Sequence, residues 1–304
     1  MKVLVTGTLP DWVKKTLADM GYEAASVSTT AYVDEERFCE GISGFDIYIS
    51  GGFEKCTKAV IEAADKLKAI VFLGSDYKSY IDVDAATKKN ILVFSTPSAN
   101  ARAVAEFTVF LMLAAARKAS KMIVDAYAKT WAEQTGFELQ GKTLGLIGSG
   151  AIAAHVAKIA EGLGMRVIYW TRSGKKQGMQ GLYAEFDDLL AQSEILSLHV
   201  PDAAGTILDA VAFSKMNKCK VLVNTARAAL VDAEVLYEFL KSGSLKTAAF
   251  DGFYGEGASA WTCPEARLFD LGPDRFFITP HAAWKTCEAD DNMFKMALAH
   301  IRKL

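Results

Sequence analysis

One stretch, Thr143 to Arg172, constrains the fold of this chain more than any other. An apolar run ends at Ile147 and leads into the turn Gly148-Ser-Gly-Ala-Ile-Ala153, which is followed by a helical pattern and a second apolar run, Arg166–Trp170. A G-x-G-x-x-G/A motif placed between a strand and a helix indicates a dinucleotide-binding unit, whereas the motif alone is a weak signal. The stretch therefore predicts a βαβ unit that binds a dinucleotide.

Each small residue of this turn has its own physical role. Gly148 permits the tight turn, Gly150 lets backbone amides approach a pyrophosphate, and Ala153 allows close packing of the helix on the strand. The N-terminus of the helix offers unpaired N–H groups and a partial positive charge to the phosphates. The cofactor contacts expected here are Gly148, Ser149, Gly150, Ala151 and Ile152.

Length and composition narrow the class of protein. A chain of 304 residues predicts about two domains, and 51% hydrophobic residues can form large cores. The net charge of −2 argues against a nucleic-acid or membrane-surface partner. The five cysteines lack the spacing of metal ligands and are expected to be reduced thiols, so we predict a cytoplasmic protein without a metal. The first residues do not resemble a signal peptide, and we expect no membrane-spanning segment.

Strand and helix patterns alternate along the chain, which predicts an α/β fold with doubly wound parallel sheets. In the first series the strands are expected at Lys2–Thr6, Asp46–Ser50, Ala69–Leu73 and Ile91–Ser95, and the helices at Asp11–Asp19, Lys55–Ala64 and Asp84–Lys89. The second series is expected to contain a long apolar helix at Arg102–Lys118, later strands at Ile195–His199, Lys220–Asn224, Thr247–Phe250 and Phe276–Thr279, and helices at Asp232–Ser242 and Glu288–Leu304. We expect two lobes, with ligands in the cleft where their βα loops meet.

Three polar side chains follow strands of the second series, and we expect them to meet at one sheet edge: Arg227, Glu256 and His281. Reduction of a 2-oxo acid needs these three types of group. A guanidinium binds the substrate carboxylate and polarises the carbonyl, an imidazolium donates a proton, and a carboxylate favours the protonated imidazole. A nicotinamide carries the hydride. Each residue alone would more often be structural or solvated, but their combination downstream of a dinucleotide unit favours catalysis.

With these motifs the chain resembles the D-isomer-specific 2-hydroxyacid dehydrogenase family over nearly its whole length. The matching segments are Val104-Ala-Glu106, Leu139–Gly148, Leu198-His-Val-Pro201, Val223-Asn-Thr-Ala-Arg227 and Thr279-Pro-His281. The resemblance implies a substrate-binding arginine at Arg227, an acid-base histidine at His281 and a catalytic glutamate at Glu256. It also implies that Asp251 faces the nicotinamide. A Rossmann-type cofactor lobe, residues 101–283, would be inserted into a flavodoxin-like substrate lobe, residues 1–100 and 284–304.

The resemblance also implies further contacts and a dimer. Beyond the turn, the expected cofactor contacts are Thr171, Arg172, Ser173, His199, Val200, Pro201, Thr206, Thr225, Ala226, Arg227, Asp251, His281 and Ala283. The expected substrate contacts are Ser50, Gly51, Gly52, Gly74, Ser75, Arg227, His281 and Trp284. The glycine-containing loops of the first lobe could instead be simple βα turns, and Trp284 could be a core or dimer contact. The family is typically dimeric, and we expect a homodimer.

Several positions depart from the family pattern. Ala228 replaces a glycine after the arginine, Gly252 replaces a valine after Asp251, and Gly257 replaces a proline after Glu256. The loop 74–80 is longer than the family's Gly-x-Gly-Tyr-Asp loop. These changes leave the three catalytic residues in place and leave the substrate pocket undetermined.

The residues after the second strand of the dinucleotide unit favour NADP(H). Thr171 stands where NAD-selective proteins carry an acidic residue for the ribose hydroxyl, and the cations Arg172, Lys175 and Lys176 follow it. No carboxylate is present to repel a 2′-phosphate. NAD is the alternative, in which Thr171 tolerates the plain ribose and the lysines are solvated.

The leading functional prediction is a reductase of a small 2-oxo acid, glyoxylate or hydroxypyruvate, that produces the D-hydroxy acid. One alternative is D-3-phosphoglycerate dehydrogenase, with Lys55, Lys58 or Lys78 near the phosphate. A second alternative, of another class, is a protein that senses the dinucleotide without turnover. Retention of all three catalytic residues favours the enzyme.

Overall fold

The computed structural model describes residues 1–27, 35–51 and 54–304. These residues divide into two compact units, one of Met1–Asn100 with Thr286–Leu304 and the other of Ala101–Lys285. The return boundary lies two residues beyond the position expected from the sequence. The second unit is therefore inserted into the sequence of the first. Helices and strands are numbered below in chain order.

The first unit contains a five-stranded parallel sheet with the strand order β2-β1-β3-β4-β5, which is the flavodoxin-like doubly wound order. Its strands are β1 Lys2–Thr6, β2 Glu23–Val27, β3 Ile47–Ser50, β4 Ala69–Phe72 and β5 Leu92–Ser95. Its described helices are α1 Asp11–Asp19, α2 Glu35–Ile42, α3 Lys58–Ala63, α4 Val83–Lys88 and α11 Cys287–Ile301.

Alternation of side chains along β1, β3 and β4 builds two cores, one on each face of this sheet. One face carries Leu4, Tyr48 and Ile70 with side chains of α2, α3 and α4. The other face carries Val3, Val5, Ile47, Ile49 and Val71 with side chains of α1 and α11. The last helix of the chain thus completes a core whose strands lie more than 200 positions earlier in the sequence.

The second unit contains a seven-stranded parallel sheet with the order β12-β11-β10-β9-β6-β7-β8. Its strands are β6 Thr143–Ile147, β7 Arg166–Trp170, β8 Leu182–Tyr183, β9 Ile195–Leu198, β10 Val221–Asn224, β11 Thr247–Asp251 and β12 Phe276–Thr279. Counted from β6, this is the Rossmann order with one more strand at the edge, and the strand order reverses between β6 and β9. The predicted pair of doubly wound parallel sheets is confirmed.

Helices cover both faces of this second sheet. They are α5 Ala101–Ala116, α6 Ala119–Tyr127, α7 Ala151–Gly162, α8 Phe186–Gln192, α9 Ala210–Lys215 and α10 Ala233–Ser242. Helix α5 packs on α7 and on β10 and β11, which explains why so much of its surface is apolar. Asp232 caps α10 by accepting from the amide of Val235, and Gly243 ends the helix in a left-handed conformation.

The segment between β11 and β12 forms two stretches of 3₁₀-helix, Gly257–Trp261 and Pro264–Leu271. Across the part of the chain that the structure describes, no helix has the length and apolar character needed to cross a bilayer. The same described residues hold no group of three or more His, Cys, Asp or Glu side chains arranged for a metal ion.

Candidate active site

The carboxyl ends of five neighbouring strands of the second unit share one sheet edge, because every pair among them is parallel. Each of these strands is followed by a residue that the sequence singled out: Gly148 after β6, His199 after β9, Arg227 after β10, Glu256 after β11 and His281 after β12. The edge therefore gathers the phosphate-binding turn and the three expected catalytic residues within one compact unit.

The glycine turn requires glycine at its first position. Gly148 has a φ of +117°, and a Cβ atom there would lie 2.2 Å from the backbone oxygen of His199. Its amide donates to the oxygen of Trp170 over 2.8 Å, which locks the turn onto β7. Any side chain at this position would have to displace the end of β9, so the close passage of the chain depends on glycine.

The turn leads into α7, whose N-terminus fits an anionic ligand. Gly150 is the N-cap residue and has no side chain to occupy the first amides of the helix, and a Cβ atom there would meet open space. Ala153 is fully buried against Leu144 and Leu146 of β6, which brings the helix close to the sheet. The first turn of α7 contains no acidic residue. These features fit the pyrophosphate of a dinucleotide.

His199 ends β9 beside this turn and is uncharged. Burial lowers its pKa to about 3, and its Nε2 atom lies 2.9 Å from the Ser197 hydroxyl. Its amide donates to the oxygen of Ile147, which ties β9 to β6. A histidine that is neutral at physiological pH carries no imidazolium proton to donate.

Glu256 and His281 form the polar pair at the centre of the edge. The Nδ1 atom of His281 lies 2.9 Å from Oε1 of Glu256, and their side chains are 18% and 32% exposed. This hydrogen bond lowers the pKa of Glu256; burial opposes the shift, and the charges of His281 and Arg227 reinforce it. Glu256 is therefore an anion at neutral pH. Since a carboxylate only accepts hydrogen bonds, Nδ1 carries the hydrogen.

Arg227 follows β10 and adds a positive charge to this pair, as its effect on Glu256 shows. The loop that carries Arg227 is held by the side chain of Asn224. Its Nδ2 atom donates to the backbone oxygen of Arg227 over 2.8 Å, and its Oδ1 atom accepts from the backbone amide of Ala226 over 2.9 Å. A guanidinium, an imidazole and a carboxylate thus come together at one sheet edge. The sequence analysis did not assign this positioning role to Asn224.

A family model described as the NAD-binding domain of D-isomer-specific 2-hydroxyacid dehydrogenases matches residues 109–283. The chain belongs to this family. It is 35% identical over 265 residues to a hydroxypyruvate reductase of Thermotoga maritima, covering 86% of this chain and 85% of the relative. It is 35% identical to a glyoxylate reductase of Aeropyrum pernix, covering 80% of this chain and 74% of the relative.

Two further relatives broaden the comparison. A D-3-phosphoglycerate dehydrogenase of Methanocaldococcus jannaschii is 34% identical over the whole of this chain, which spans 57% of that relative. A solved structure of D-2-hydroxyisocaproate dehydrogenase superposes with a TM-score of 0.83 at 26% identity, covering 99% of this chain and 95% of that one. The resemblance inferred from sequence is confirmed: the chain is a nicotinamide-dependent oxidoreductase, an enzyme rather than a sensor without turnover.

In this dehydrogenase Asp251 fixes the loop that presents the histidine. Its Oδ1 accepts from the Thr279 hydroxyl over 2.6 Å and from the Ala282 amide over 2.9 Å, and its Oδ2 accepts from the Ala283 amide over 2.8 Å. His281 has a φ of +53°, a left-handed conformation that a histidine adopts only when its surroundings enforce it. Contact of Asp251 with the nicotinamide stays a prediction, while its hold on the His281 loop is observed.

Gly252 provides the space in which the pair meets. It has a φ of +97°, and a Cβ atom at this position would lie 3.1 Å from Oε1 of Glu256. Its amide donates to the oxygen of Thr279, so the glycine cannot move away without disturbing β12. From the sequence alone, Gly252 is only a departure from the family pattern. The structure explains the glycine, because a side chain at this position would crowd the Glu256 carboxylate.

The remaining expected cofactor contacts lie along the same edge of the second unit. The hydroxyl of Thr225 lies 2.8 Å from that of Thr108 on α5, and the hydroxyl of Thr206 donates to the oxygen of Ala229 over 3.3 Å. Beyond β7, the hydroxyls of Thr171 and Ser173 lie 3.5 Å apart. The others follow strand ends or the histidine loop: Arg172, Val200, Pro201, Ala226 and Ala283. Their contacts with a cofactor stay predictions.

The expected substrate loops of the first unit already use two of their amides. The Gly51 amide donates to the hydroxyl of Thr6 over 3.1 Å, and the Gly74 amide donates to the hydroxyl of Thr96 over 2.8 Å. A substrate carboxylate could use these two amides only in exchange for a threonine hydroxyl. The role of these loops stays a prediction.

The other expected substrate contacts have varied surroundings. Ser50 is buried at the end of β3, Ser75 is exposed, and the Trp284 ring lies 4.8 Å from the Lys285 ammonium. Gly52 lies outside the described residues.

Proposed function

We propose that this dehydrogenase is an NADP(H)-dependent reductase that converts a small 2-oxo acid into the 2-hydroxy acid: glyoxylate into glycolate, or hydroxypyruvate into D-glycerate. The observation that carries the proposal is the contact between Glu256 and His281, beside the charge of Arg227, on the sheet edge that holds the glycine turn. The hydroxypyruvate and glyoxylate reductases among the relatives support the choice of substrate.

The residues have separate parts in this reaction. The guanidinium of Arg227 binds the substrate carboxylate and draws electron density from the adjacent carbonyl. A bound reduced nicotinamide supplies the hydride to the carbonyl carbon. His281 donates the proton to the carbonyl oxygen from Nε2, because Nδ1 is directed at Glu256. Glu256 stabilises the imidazolium before the transfer and holds the orientation of the ring throughout.

The cofactor would lie with its pyrophosphate at the N-terminus of α7 and its adenosine ribose beyond β7. Arg172, Ser173 and Lys175 are exposed there, and Thr171 takes the position of the acidic residue that would repel a 2′-phosphate. This chemistry supports NADP(H) over NAD(H). Comparison of KM for NADPH and NADH with one substrate tests the preference, and a lower KM for NADH would contradict it.

A panel of 2-oxo acids, followed by the absorbance of reduced nicotinamide, tests the activity. We expect glyoxylate or hydroxypyruvate to give the highest kcat/KM, and Arg227→Ala to raise KM and lower kcat together, because this residue both binds and polarises. Arg275→Ala is the matched control, since this arginine donates to the end of α10 and lies outside the predicted site. Equal effects of the two substitutions would contradict the role of Arg227.

D-3-phosphoglycerate dehydrogenase is a second candidate, because the Methanocaldococcus jannaschii relative aligns over the whole chain. Of the lysines expected near a phosphate, Lys58 already pairs with Glu62 over 3.6 Å on the exposed face of α3. Oxidation of 3-phosphoglycerate at a higher kcat/KM than that of glycerate would favour this candidate, and the reverse order would favour the smaller acid.

We also propose a homodimer in the cytoplasm. Large apolar side chains are exposed on α5, on α6 and just beyond: Phe110, Leu113, Ile123, Val124, Tyr127 and Trp131. Trp131 is 99% exposed and Tyr127 is 88% exposed, and a second copy of this surface would cover them. Light scattering should give a dimer mass, and Ile123→Glu should yield monomers. Val211→Glu, at an equally exposed apolar position on α9, should leave the mass unchanged.

A further inference from the structure

The segment between β7 and β8 is tied to the sheet by one buried hydroxyl. Tyr169, on β7, is almost fully buried, and its hydroxyl accepts from the Lys176 amide over 3.0 Å and donates to the Lys176 oxygen over 3.1 Å. Both backbone groups of residue 176 are therefore satisfied by the same side chain. The arrangement fixes the position of Lys176 in a loop that is otherwise mostly exposed.

The side chain of Lys176 reaches back across the sheet edge to the glycine turn. Its ammonium donates to the backbone oxygen of Ser149 over 2.6 Å. The residues just before the turn and the loop, Ile147 and Trp170, are register partners on adjacent strands. Adjacent strands are about 4.8 Å apart, so the glycine turn that the ammonium contacts begins next to the end of β7.

The charge of this region is entirely positive. From Gly162 to Ala184 the sequence contains Arg166, Arg172, Lys175 and Lys176, and it contains no aspartate or glutamate. A neutral carbonyl is a weaker partner for an ammonium than a phosphate is, because the phosphate adds the Coulomb attraction of its negative charge and offers several acceptor oxygens. The ammonium of Lys176 is thus held ready beside the cofactor's expected position by a bond that an anion can replace.

We propose that Lys176 determines the specificity for NADP(H) by exchanging the Ser149 oxygen for the 2′-phosphate of the cofactor, and that Tyr169 is the positioning residue for this lysine. The inference rests on the proposed use of NADP(H) and adds the group that recognises its extra phosphate. Lysine serves here as a mobile point charge, with a backbone fixed by the tyrosine and a flexible stem.

Calorimetric titration with two adenosine nucleotides tests this recognition without turnover. The probe 2′,5′-ADP carries the 2′-phosphate, and 5′-ADP lacks it. We expect the wild-type protein to bind 2′,5′-ADP more tightly, and Lys176→Met to reduce that preference about 10–100-fold, which is the usual range for loss of a hydrogen bond to a charged group. Lys218→Met is the matched control, because this exposed lysine lies between α9 and β10, outside the loop after β7, and we expect it to keep the full preference.

Tyr169→Phe separates positioning from charge, because it keeps the ring and removes the hydroxyl. We expect a smaller loss of preference for 2′,5′-ADP than in Lys176→Met, an unchanged affinity for 5′-ADP, and KM rising for NADPH but not for NADH. Thermal unfolding of each variant shows whether the fold is retained.

Three results would overturn the inference. If Lys176→Met weakens the binding of both nucleotides by the same factor, the lysine contacts a group that the two nucleotides share. If Lys176→Met binds both nucleotides as tightly as the wild-type protein does, the lysine contacts neither nucleotide. Wild-type protein without a preference for 2′,5′-ADP would contradict the use of NADP(H) as well. A wild-type preference that survives Lys176→Met refutes the role of the lysine and leaves the proposed cofactor intact.

Discussion

Replacement of Glu256 by glutamine tests the electrostatic role of this residue while keeping its shape. In the wild-type protein a carboxylate lies 2.9 Å from Nδ1 of His281. Glutamine still offers an oxygen to the Nδ1 hydrogen, so the ring stays oriented, but the negative charge is lost. A hydrogen bond to a charged group contributes about 1.5–3 kcal/mol, against about 1 kcal/mol for a neutral one. The exchange therefore removes about 0.5–2 kcal/mol from the stabilisation of the imidazolium.

This loss converts to about 2–30-fold in kcat for reduction, since about 1.36 kcal/mol corresponds to tenfold in rate. Partial exposure of both side chains favours the lower half of that range. The assay is kcat at neutral pH with saturating NADPH and 2-oxo acid.

A matched control is Glu234→Gln, which removes the carboxylate of an exposed pair with Arg267 elsewhere in the same unit. We expect no change in kcat. A Glu256→Gln enzyme with kcat within about 1.5-fold of wild type would refute the reasoning, whatever the control does.

Three further predictions concern the same sheet edge. Gly148→Ala should abolish dinucleotide binding in calorimetry, because its Cβ would lie 2.2 Å from a backbone oxygen, whereas Gly162→Ala, which meets open space, should bind normally. Gly252→Ala should lower kcat about tenfold or more, because the new Cβ crowds the Glu256 carboxylate. The control is Gly243→Ala, at a glycine that also has a positive φ but lies at the end of α10, away from the catalytic residues. It should lower only the free energy of unfolding, by about 1–2 kcal/mol, measured in denaturant. The pKa of Glu256 is lowered in the folded state, so the ionised carboxylate contributes stability above about pH 4.5, and this contribution is lost as the pH falls below that value. The melting temperatures of wild type and Glu256→Gln should therefore converge on acidification through that range. A difference in melting temperature that stays constant with pH would contradict the prediction.

The sequence predicted the central strands well and missed two of the edge strands. Strands β1, β6 and β7 have the predicted bounds, because a parallel strand covered on both faces has a continuous apolar run. The edge strand β12 also has the predicted bounds, because it too is a run of apolar residues ending in Thr-Pro. Strand β2, Glu23–Val27, was not predicted: it is a largely exposed edge strand made of small and polar residues. The two-residue β8 and the short helices α8 and α9 were also missed, because they are held by packing rather than by a long periodic pattern.

In the site, the sequence revealed the residues whose chemistry is uncommon and missed those that position them. Gly148 is recognisable in the sequence because its backbone conformation excludes other residues. The Glu256–His281 pair could be predicted because both residues follow strands and match motifs of the family. The roles of Asn224 and Gly252 depend on how loops from different strands meet, which no local pattern encodes.

The most direct measurement of the central claim is the rate at which the His281→Ala variant oxidises NADPH with hydroxypyruvate, together with chiral analysis of the glycerate formed by the wild-type enzyme. If His281 is the acid, kcat falls by about 10²–10⁴, and the wild-type product is D-glycerate. Near-normal turnover by His281→Ala, or an L-product from the wild-type enzyme, would contradict the assignment.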